Sequence, residues 1–468
     1  MTRIVIMGGG PAGYEAALVA VQYGAEVTLI ERDGIGGACV LSDCVPSKTF
    51  IASAGGRTAA LAAGSLGVNI DPAKVAVDIG VVHGRVAGLA LAQSADIKAN
   101  LLSSGVNIVD GIATLADQQP GLASHQVTAT SSDGTKTSYT ADVVLIATGA
   151  TPRILPDAEP DGERILTWRQ VYSLTELPEH LIVIGSGVTG AEFASAYTEM
   201  GVKVTLVSSR DRVLPSEDAD AAAVIEKVFS ARGSVLAKQS RAKSVKREGD
   251  GVLVTLEGGG EIRGSHALMT VGAIPNTTEM GLLEVGIDVG RGGFIQVDKV
   301  SRTSVSGIYA AGDCTGVLML ASVAAMQGRI AMWHALGEGV APLRLKTVCS
   351  NVFTHPEIAT VGYSEVEAET GPALAQTLMI PLATNARAKM LGLDEGFIKI
   401  VSRRLTGIVI GGVVVAPEAS ELILPIAVAV QNRLTVKDLA YTFSVYPSLS
   451  GSITELGRRL MHVGQETL

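Results

Sequence analysis

Cysteine and aromatic residues are scarce in this sequence. Four cysteines in 468 residues are too few for a disulfide framework. The chain is therefore expected to be cytoplasmic, with any close cysteine pair redox-active rather than structural. Aromatic residues make up only 4%. The net charge is −9 with no Lys/Arg cluster, so the basic footprint of a nucleic-acid binder is missing and no such partner is expected. The acidic balance favours solubility. No unbroken apolar run reaches the roughly 20 residues of a membrane span. The most apolar stretch, Leu405 to Val430, is interrupted by Pro417, Glu418, Glu421 and Pro425 and reads as a strand followed by a buried helix. The opening residues read as a strand and a glycine turn, without the cleavage site of a signal peptide.

Glycine is abundant, at 54 residues, and 47% of the chain is hydrophobic. That mixture suits an α/β protein, in which tight strand-to-helix turns need glycine and sizeable cores need apolar residues. At roughly 100–200 residues per domain, the length allows two to four domains. One block reads strand Ile4–Met7, glycine turn Gly8–Gly13, helix Tyr14–Tyr23 and strand Val27–Glu31. A second reads Leu181–Ile184, Gly185–Gly190, Ala191–Met200 and Val202–Val207. Two such βαβ units in one chain suggest duplicated nucleotide-binding domains.

Between them, the pattern through about Ser104 is Ala-rich and helical. Gln126 to Val144 alternates apolar and polar residues, which predicts a small antiparallel sheet. Val143–Ile146 forms a short apolar strand ending in Ala147, Thr148 and Gly149, and Pro152–Pro160 reads as a linker. Another apolar strand runs into Gly312 and Asp313. From about Leu345 the composition shifts again, with strands Phe397–Val401 and Ile408–Val415 and helix Glu418–Gln431 predicted.

The first glycine turn, with Gly8, Gly10 and Gly13, lets a backbone approach a pyrophosphate, while the helix behind it offers N–H donors. Glu31 ends the next strand, where an acid grips a ribose hydroxyl. The second turn, with Gly185, Gly187 and Gly190, repeats the arrangement. Its following strand ends in Ser208, Ser209 and Arg210 rather than an acid. Hydroxyls and a guanidinium suit the 2′-phosphate of NADPH, so NADP is expected there, with NAD as the other possibility. Cys39 and Cys44 stand five apart beyond the Gly36–Gly37 turn, and Pro46, Ser47 and Lys48 follow. They could meet as a disulfide at a helix start, where the dipole favours a thiolate. Cys314 and Cys349 read as packing residues.

These residues resemble the flavoprotein disulfide reductase family, the class I pyridine nucleotide-disulfide oxidoreductases. The likeness runs from the first glycine turn through the two cysteines, Thr148–Gly149, Gly185 to Glu192, Gly312–Asp313 and Leu320–Ala321. It continues into Phe353 to Glu357 and Ala419 to Leu422. The resemblance implies FAD on the first unit, with Gly37, Thr148, Gly149, Gly272, Gly312, Asp313, Leu320 and Ala321 among the nucleotide-binding residues. Asp313 would bind the ribityl chain. Cys44 would face the flavin and Cys39 would be the exchanging sulfur. Lys48 and Glu192 would form an ion pair where hydride arrives. A homodimer and a cis Tyr446–Pro447 bond are implied as well, and no metal site is expected.

One departure bears on function. The family's disulfide reductases carry a His-Pro pair near the C-terminus, with a Glu five residues after the His. Here Tyr446 precedes Pro447, and Gly451 takes the place of the Glu. The next histidine, His462, lies outside the motif. Thiol–disulfide exchange needs a base near neutrality, and losing one costs on the order of 10²–10⁴-fold. Mercuric reductases share such a Tyr but use extra C-terminal cysteines, and His462 to Leu468 contains none. Tyr446–Gly451 together with Asn385–Met390 is most similar to the mycobacterial-type, lipoamide-dehydrogenase-like NAD(P)H:quinone reductase branch. That branch includes a member without the first cysteine, whereas this chain keeps both, so thiol chemistry stays open.

The expected architecture is α/β, with two Rossmann-like domains and an α+β C-terminal dimerisation domain. The expected segments are 1–150 for FAD, 151–276 for NAD(P), 277–345 for the second part of the FAD domain, and 346–468 for the interface. The expected activity passes electrons from NAD(P)H through flavin to a quinone, with Cys39, Cys44, Lys48, Glu192 and Tyr446 as catalytic candidates. The alternatives are a lipoamide-, mycothione- or glutathione-type disulfide reductase using another base, a pyridine nucleotide transhydrogenase, and a non-enzymatic flavin-stabilised protein.

Overall fold

The computed structural model describes residues 1–116, 124–371 and 374–463. The side chain of His462 and the cysteine-free stretch 464–468 lie outside the described residues. The chain divides into two compact units. One comprises residues 1–49, 83–153 and 272–344, and the other 50–82, 154–271 and 345–468.

The first unit is built on a five-stranded parallel sheet in the order Ile308–Ala310, Val143–Ile146, Arg3–Met7, Glu26–Glu31 and Asn107–Asp110. Its central strands are apolar on both faces, as strands covered on both sides must be. Ile4, Ile6, Leu29 and Leu145 pack on one face with Ala16, Ala17 and Ala20 of helix Pro11–Gln22. Val5, Met7, Ile30, Val144 and Ile146 pack on the other, against the small sheet Ile112–Leu115, His125–Thr130 and Lys136–Ala141. The expected meander around Gln126 to Val144 is thus present as antiparallel strands.

The second unit holds a matching parallel sheet, ordered Val235–Ala237, Lys203–Val207, His180–Ile184, His266–Met269 and Ile165–Thr167. It also holds a five-stranded antiparallel sheet, Cys349–Val352, Glu357–Gly362, Val409–Ala416, Phe397–Arg403 and Ala375–Pro381. Ile426 and Ala429 of helix Leu424–Asn432 and Ile453, Leu456 and Leu460 of helix Gly451–Val463 share a core with that sheet.

One local expectation is made specific and two are corrected. The helical stretch through Ser104 is two helices, Cys44–Ala62 and Ile79–Ser103, separated by short 3₁₀ turns. Pro72, at the start of the second turn, lacks the N–H that a continuous helix needs. The segment read as helix Glu418–Gln431 is likewise two pieces, Ala419–Leu422 and Leu424–Asn432, with Pro425 in the first turn of the second. Pro152 closes strand Ala150–Pro152, which pairs with Ala273–Pro275, so the linker begins later than expected. Among the described residues, no helix is long and apolar enough to cross a membrane.

Candidate active site

In the first unit the candidate residues gather at the carboxyl ends of adjacent parallel strands, where open α/β sheets bind ligands. Gly8 has φ +112°, and a Cβ there would strike the Ala147 carbonyl. A Cβ on Gly13 would strike the carbonyl of Gly8. These glycines are needed for the turn itself. Gly10 differs, because nothing lies within 4 Å of where its Cβ would be. It fronts open space at the N-terminus of helix Pro11–Gln22, as a phosphate-approach position should. Gly37 packs its own backbone on Gly10, with φ +57°.

Glu31 faces the same turn. Its Oε2 accepts from the Gly9 N–H at 2.6 Å, and its Oε1 accepts from the Arg32 and Asp33 N–H groups at 2.8 and 2.6 Å. In the turn after strand Val143–Ile146, Thr148 donates to the Asn276 carbonyl at 2.8 Å, and the Asn276 side chain returns a bond to the Thr148 carbonyl at 2.9 Å. Asn276, not singled out from sequence, therefore fixes the Thr148–Gly149 turn. Gly272 accepts from the Arg153 N–H at 2.9 Å and has φ +95°. Gly312 donates to the Gln327 side chain at 2.9 Å, leaving Asp313 to open a short 3₁₀ turn. Burial first, and the Asp43 carboxylate second, push the Asp313 carboxyl up to about 6. Leu320 caps helix Ala321–Ala335.

Cys39 lies on the short helix Gly37–Leu41, and Cys44 begins helix Cys44–Ala62. Both are half-buried thiols, hydrogen-bonded to each other. That bond holds Cys39 below its ordinary pKa, and the same bond with burial raises Cys44. Lys48, one turn beyond Cys44, acts on both in the direction of the thiolate, and Asp43 acts against it. Asp43 is an acid that sequence reasoning passed over. Its position before Cys44 was visible, but its nearness to Asp313 exists only in the fold. Cys314 is fully buried, in agreement with a packing role.

In the second unit the glycine turn is rebuilt with the same collisions. A Cβ on Gly185 would strike the Thr270 carbonyl, and one on Gly190 the Gly185 carbonyl. Gly187 caps helix Val188–Glu199 and fronts open space. Ser208 does not face outward as expected. It is fully buried, its hydroxyl shares a 2.7 Å hydrogen bond with Ser186, and it accepts from the Arg210 N–H. The residue continues the sheet ladder by donating to the Ala237 carbonyl, and that turns its side chain inward. Ser209 and Arg210 remain exposed.

Glu192 is 3% exposed, and its Oε1 accepts from the Phe353 N–H at 2.9 Å. Further along helix Val188–Glu199, Ser195 accepts from the His355 N–H at 3.1 Å and donates to Glu199 at 2.9 Å. Glu192, Ser195 and Glu199 form one helical stripe that docks the Phe353–His355 turn. Tyr446 is 85% exposed, and the Tyr446–Pro447 bond is cis. Asn385 donates to the Ser448 carbonyl at 3.0 Å and to Ser452 at 2.9 Å. It thereby joins the Asn385–Met390 and Tyr446–Gly451 motifs. A Cβ at Gly451 would have only ordinary contacts with Ser444 and Ser448, so sterics do not demand glycine there. Cys39, Cys44, Lys48 and Asp313 come together in the first unit. Glu192 and Tyr446 belong to the second, one buried and one in solvent.

Residues 2–328 match the pyridine nucleotide-disulphide oxidoreductase family, and residues 348–456 match the dimerisation domain of that family. The chain is 64% identical over 464 residues to the NAD(P)H dehydrogenase (quinone) of Mycobacterium tuberculosis, covering 98% of this chain and 94% of the relative. It is 33% identical over 451 residues to the dihydrolipoyl dehydrogenase of Geobacillus stearothermophilus, covering 96% and 94%. The crystal structure of LpdA from M. tuberculosis superposes with a TM-score of 0.95 at 63% identity, over 98% of this chain and all of that one. The HOCl-induced flavoprotein disulfide reductase RclA of Escherichia coli superposes with a TM-score of 0.86 at 25% identity, over 98% and 99%. Paired glycine turns, an adjacent dithiol and these matches agree: the chain belongs to the pyridine nucleotide-disulfide oxidoreductases.

Proposed function

We propose that the chain is an FAD-dependent oxidoreductase that takes electrons from NAD(P)H and passes them to a quinone-type acceptor. FAD, when bound, supplies the two-electron carrier. The turn with Gly8, Gly10 and Gly13, backed by Gly37, leaves room for a pyrophosphate, and Glu31 supplies the acid for a ribose. Thr148, Gly149, Gly312, Leu320 and Ala321 surround the same sheet edge, and Asp313 offers a carboxylate to ribityl hydroxyls. This donor set fits FAD. Gly185, Gly187 and Gly190 would hold the nicotinamide nucleotide, with Ser209 and Arg210 beside its adenosine ribose. Gly272 completes the expected nucleotide-binding set. On the strength of the family resemblance, Lys48 and Glu192 are the two charges that attend hydride arrival.

The observation that carries the choice of acceptor is Tyr446 with Gly451. A phenol, with an ordinary pKa of about 10, is a poor base at neutrality, and no acid stands at position 451 to orient one. A quinone accepts electrons without thiol exchange and needs no such base. The close relative's name, NAD(P)H dehydrogenase (quinone), points the same way. Exposed Tyr441, Phe443 and Tyr446, within the match to the dimerisation domain, support a homodimer in which a second copy covers this segment. The scarcity of cysteine supports a cytoplasmic location.

One observation favours a second reading. Cys39 and Cys44 are paired, and Cys39 is held below its ordinary pKa, as an exchanging thiol would be. A rapid-mixing experiment separates the two. NADPH is added anaerobically to the yellow protein, and menadione or lipoamide follows. The quinone reading predicts that the Cys39→Ser variant is bleached by NADPH and reoxidised by menadione at an undiminished rate. Loss of menadione reoxidation in that variant would place the sulfurs on the electron path.

A further inference from the structure

Beyond the end of strand Lys203–Val207, the second unit has a cavity of about 530 Å³. Three segments far apart in sequence wall it: Ser209–Arg210, Gln239–Arg241, and the hairpin tip Leu256–Gly260. Backbone hydrogen bonds lock them together. The Gln239 N–H donates to the Arg210 carbonyl at 2.8 Å, Ser240 N–H to the Ser208 carbonyl at 2.8 Å, and Glu257 N–H to the Arg241 carbonyl at 2.9 Å. Gln239 has φ +52°, an unfavourable conformation for a side-chain-bearing residue that is usually held by its surroundings.

The loop after the strand contains two arginines, but only one is available. Arg212 turns back, its Nη2 donating to the carbonyls of Pro215 and Glu217 at 2.9 and 3.3 Å. Arg210 is left exposed on the cavity. The second guanidinium of the cavity comes from Arg241, on a different segment. Arg241 is 68% exposed and is met only loosely by Glu257, at 3.9 Å. The walls thus carry two guanidiniums, one carboxylate, and the hydroxyl-bearing residues Ser209 and Ser240. Guanidiniums in this arrangement suit a phosphomonoester, whose oxygens accept paired N–H donors.

We propose that Arg241 is a specificity-determining residue that joins Arg210 in clamping the 2′-phosphate of NADPH, with Glu257 holding its guanidinium at the cavity edge until the phosphate takes its place. This rests on the reading of the second glycine turn as the nicotinamide-nucleotide site. It adds to that reading a residue that the motif after the strand does not contain.

The test compares the parent holoprotein with Arg241→Gln by calorimetric titration of adenosine 2′,5′-bisphosphate and of ADP, neither of which is a redox substrate. Losing a charge-assisted phosphate contact should weaken the 2′,5′-bisphosphate by roughly 10- to 100-fold and leave ADP unchanged. In steady state, KM for NADPH should rise with kcat unaltered, and NADH kinetics should not move. Arg241→Lys should recover part of the loss, because it keeps the charge without the fork. An unchanged 2′,5′-bisphosphate affinity, or equal losses for both ligands, would overturn the role of Arg241 while leaving the nucleotide site in place. Failure of the parent protein to bind either ligand, or to be reduced by either nicotinamide nucleotide, would overturn the underlying reading as well.

Discussion

Asp313, proposed to meet the ribityl chain, carries a cost in stability. Burial and Asp43 raise its carboxyl to about 6, above the ordinary value near 3.9. The folded state therefore binds a proton more tightly than the unfolded one. Stability is highest below about pH 4 with respect to this group, declines as pH rises toward 6, and stays reduced above it. In flavin-stripped protein, Asp313→Asn should be more stable than the parent above pH 6, by on the order of 2–3 kcal/mol. The advantage should vanish near pH 4, and thermal melts across pH will show it. Parallel curves at every pH would mean the carboxyl is not strained. Asp313 itself stands out in the sequence, because a motif announces it. The Asp43 contribution does not, since it depends on two turns meeting in space. Ser208 was misread for a related reason. Its type suits a phosphate, but ladder register turns it inward.

At the scale of elements, the glycine turns were legible because each combines a strand, a steric requirement and a helix start. Helix boundaries were less so, since apolar, Ala-rich stretches on either side of Pro72 or Pro425 look continuous when composition is averaged. Lys399 was not anticipated at all. It sits on strand Phe397–Arg403 with its side chain 3% exposed, bonded to Asp218, Asp220 and Glu365 at 3.0, 2.6 and 2.8 Å. Burial alone would lower its pKa, but hydrogen bonds to Asp220, Glu365 and Asp218 hold it above the ordinary value. Asp218 also caps helix Ala219–Ala231, and Glu365 opens helix Glu365–Thr370. One ammonium thus ties two helix starts to a central strand. Lys399→Met should destabilise the protein by about 1–3 kcal/mol, because it leaves the buried Asp218 side chain without its counter-charge, while the exposed Asp220 is screened by water. Denaturant unfolding will measure it, and a change within error would reduce the cluster to a surface-like arrangement.

For the whole molecule, the duplicated βαβ pattern foretold two nucleotide-binding sheets, and both are present. The proposed choice of acceptor rests on a departure, Tyr446 and Gly451 where the family's disulfide reductases keep a His and a Glu. Position 451 has room for a side chain, so the change is chemical rather than steric. The double variant Tyr446→His, Gly451→Glu should gain lipoamide turnover without gaining menadione turnover, part of the 10²–10⁴-fold that a positioned base contributes. No gain would indicate that something besides the base pair had been lost. The central claim is tested most directly by steady-state NADPH oxidation by the purified parent protein, with menadione and lipoamide in parallel. The account predicts rapid turnover with menadione and negligible turnover with lipoamide. Comparable rates with lipoamide would contradict it, because they would require a working base that Tyr446 and Gly451 do not supply.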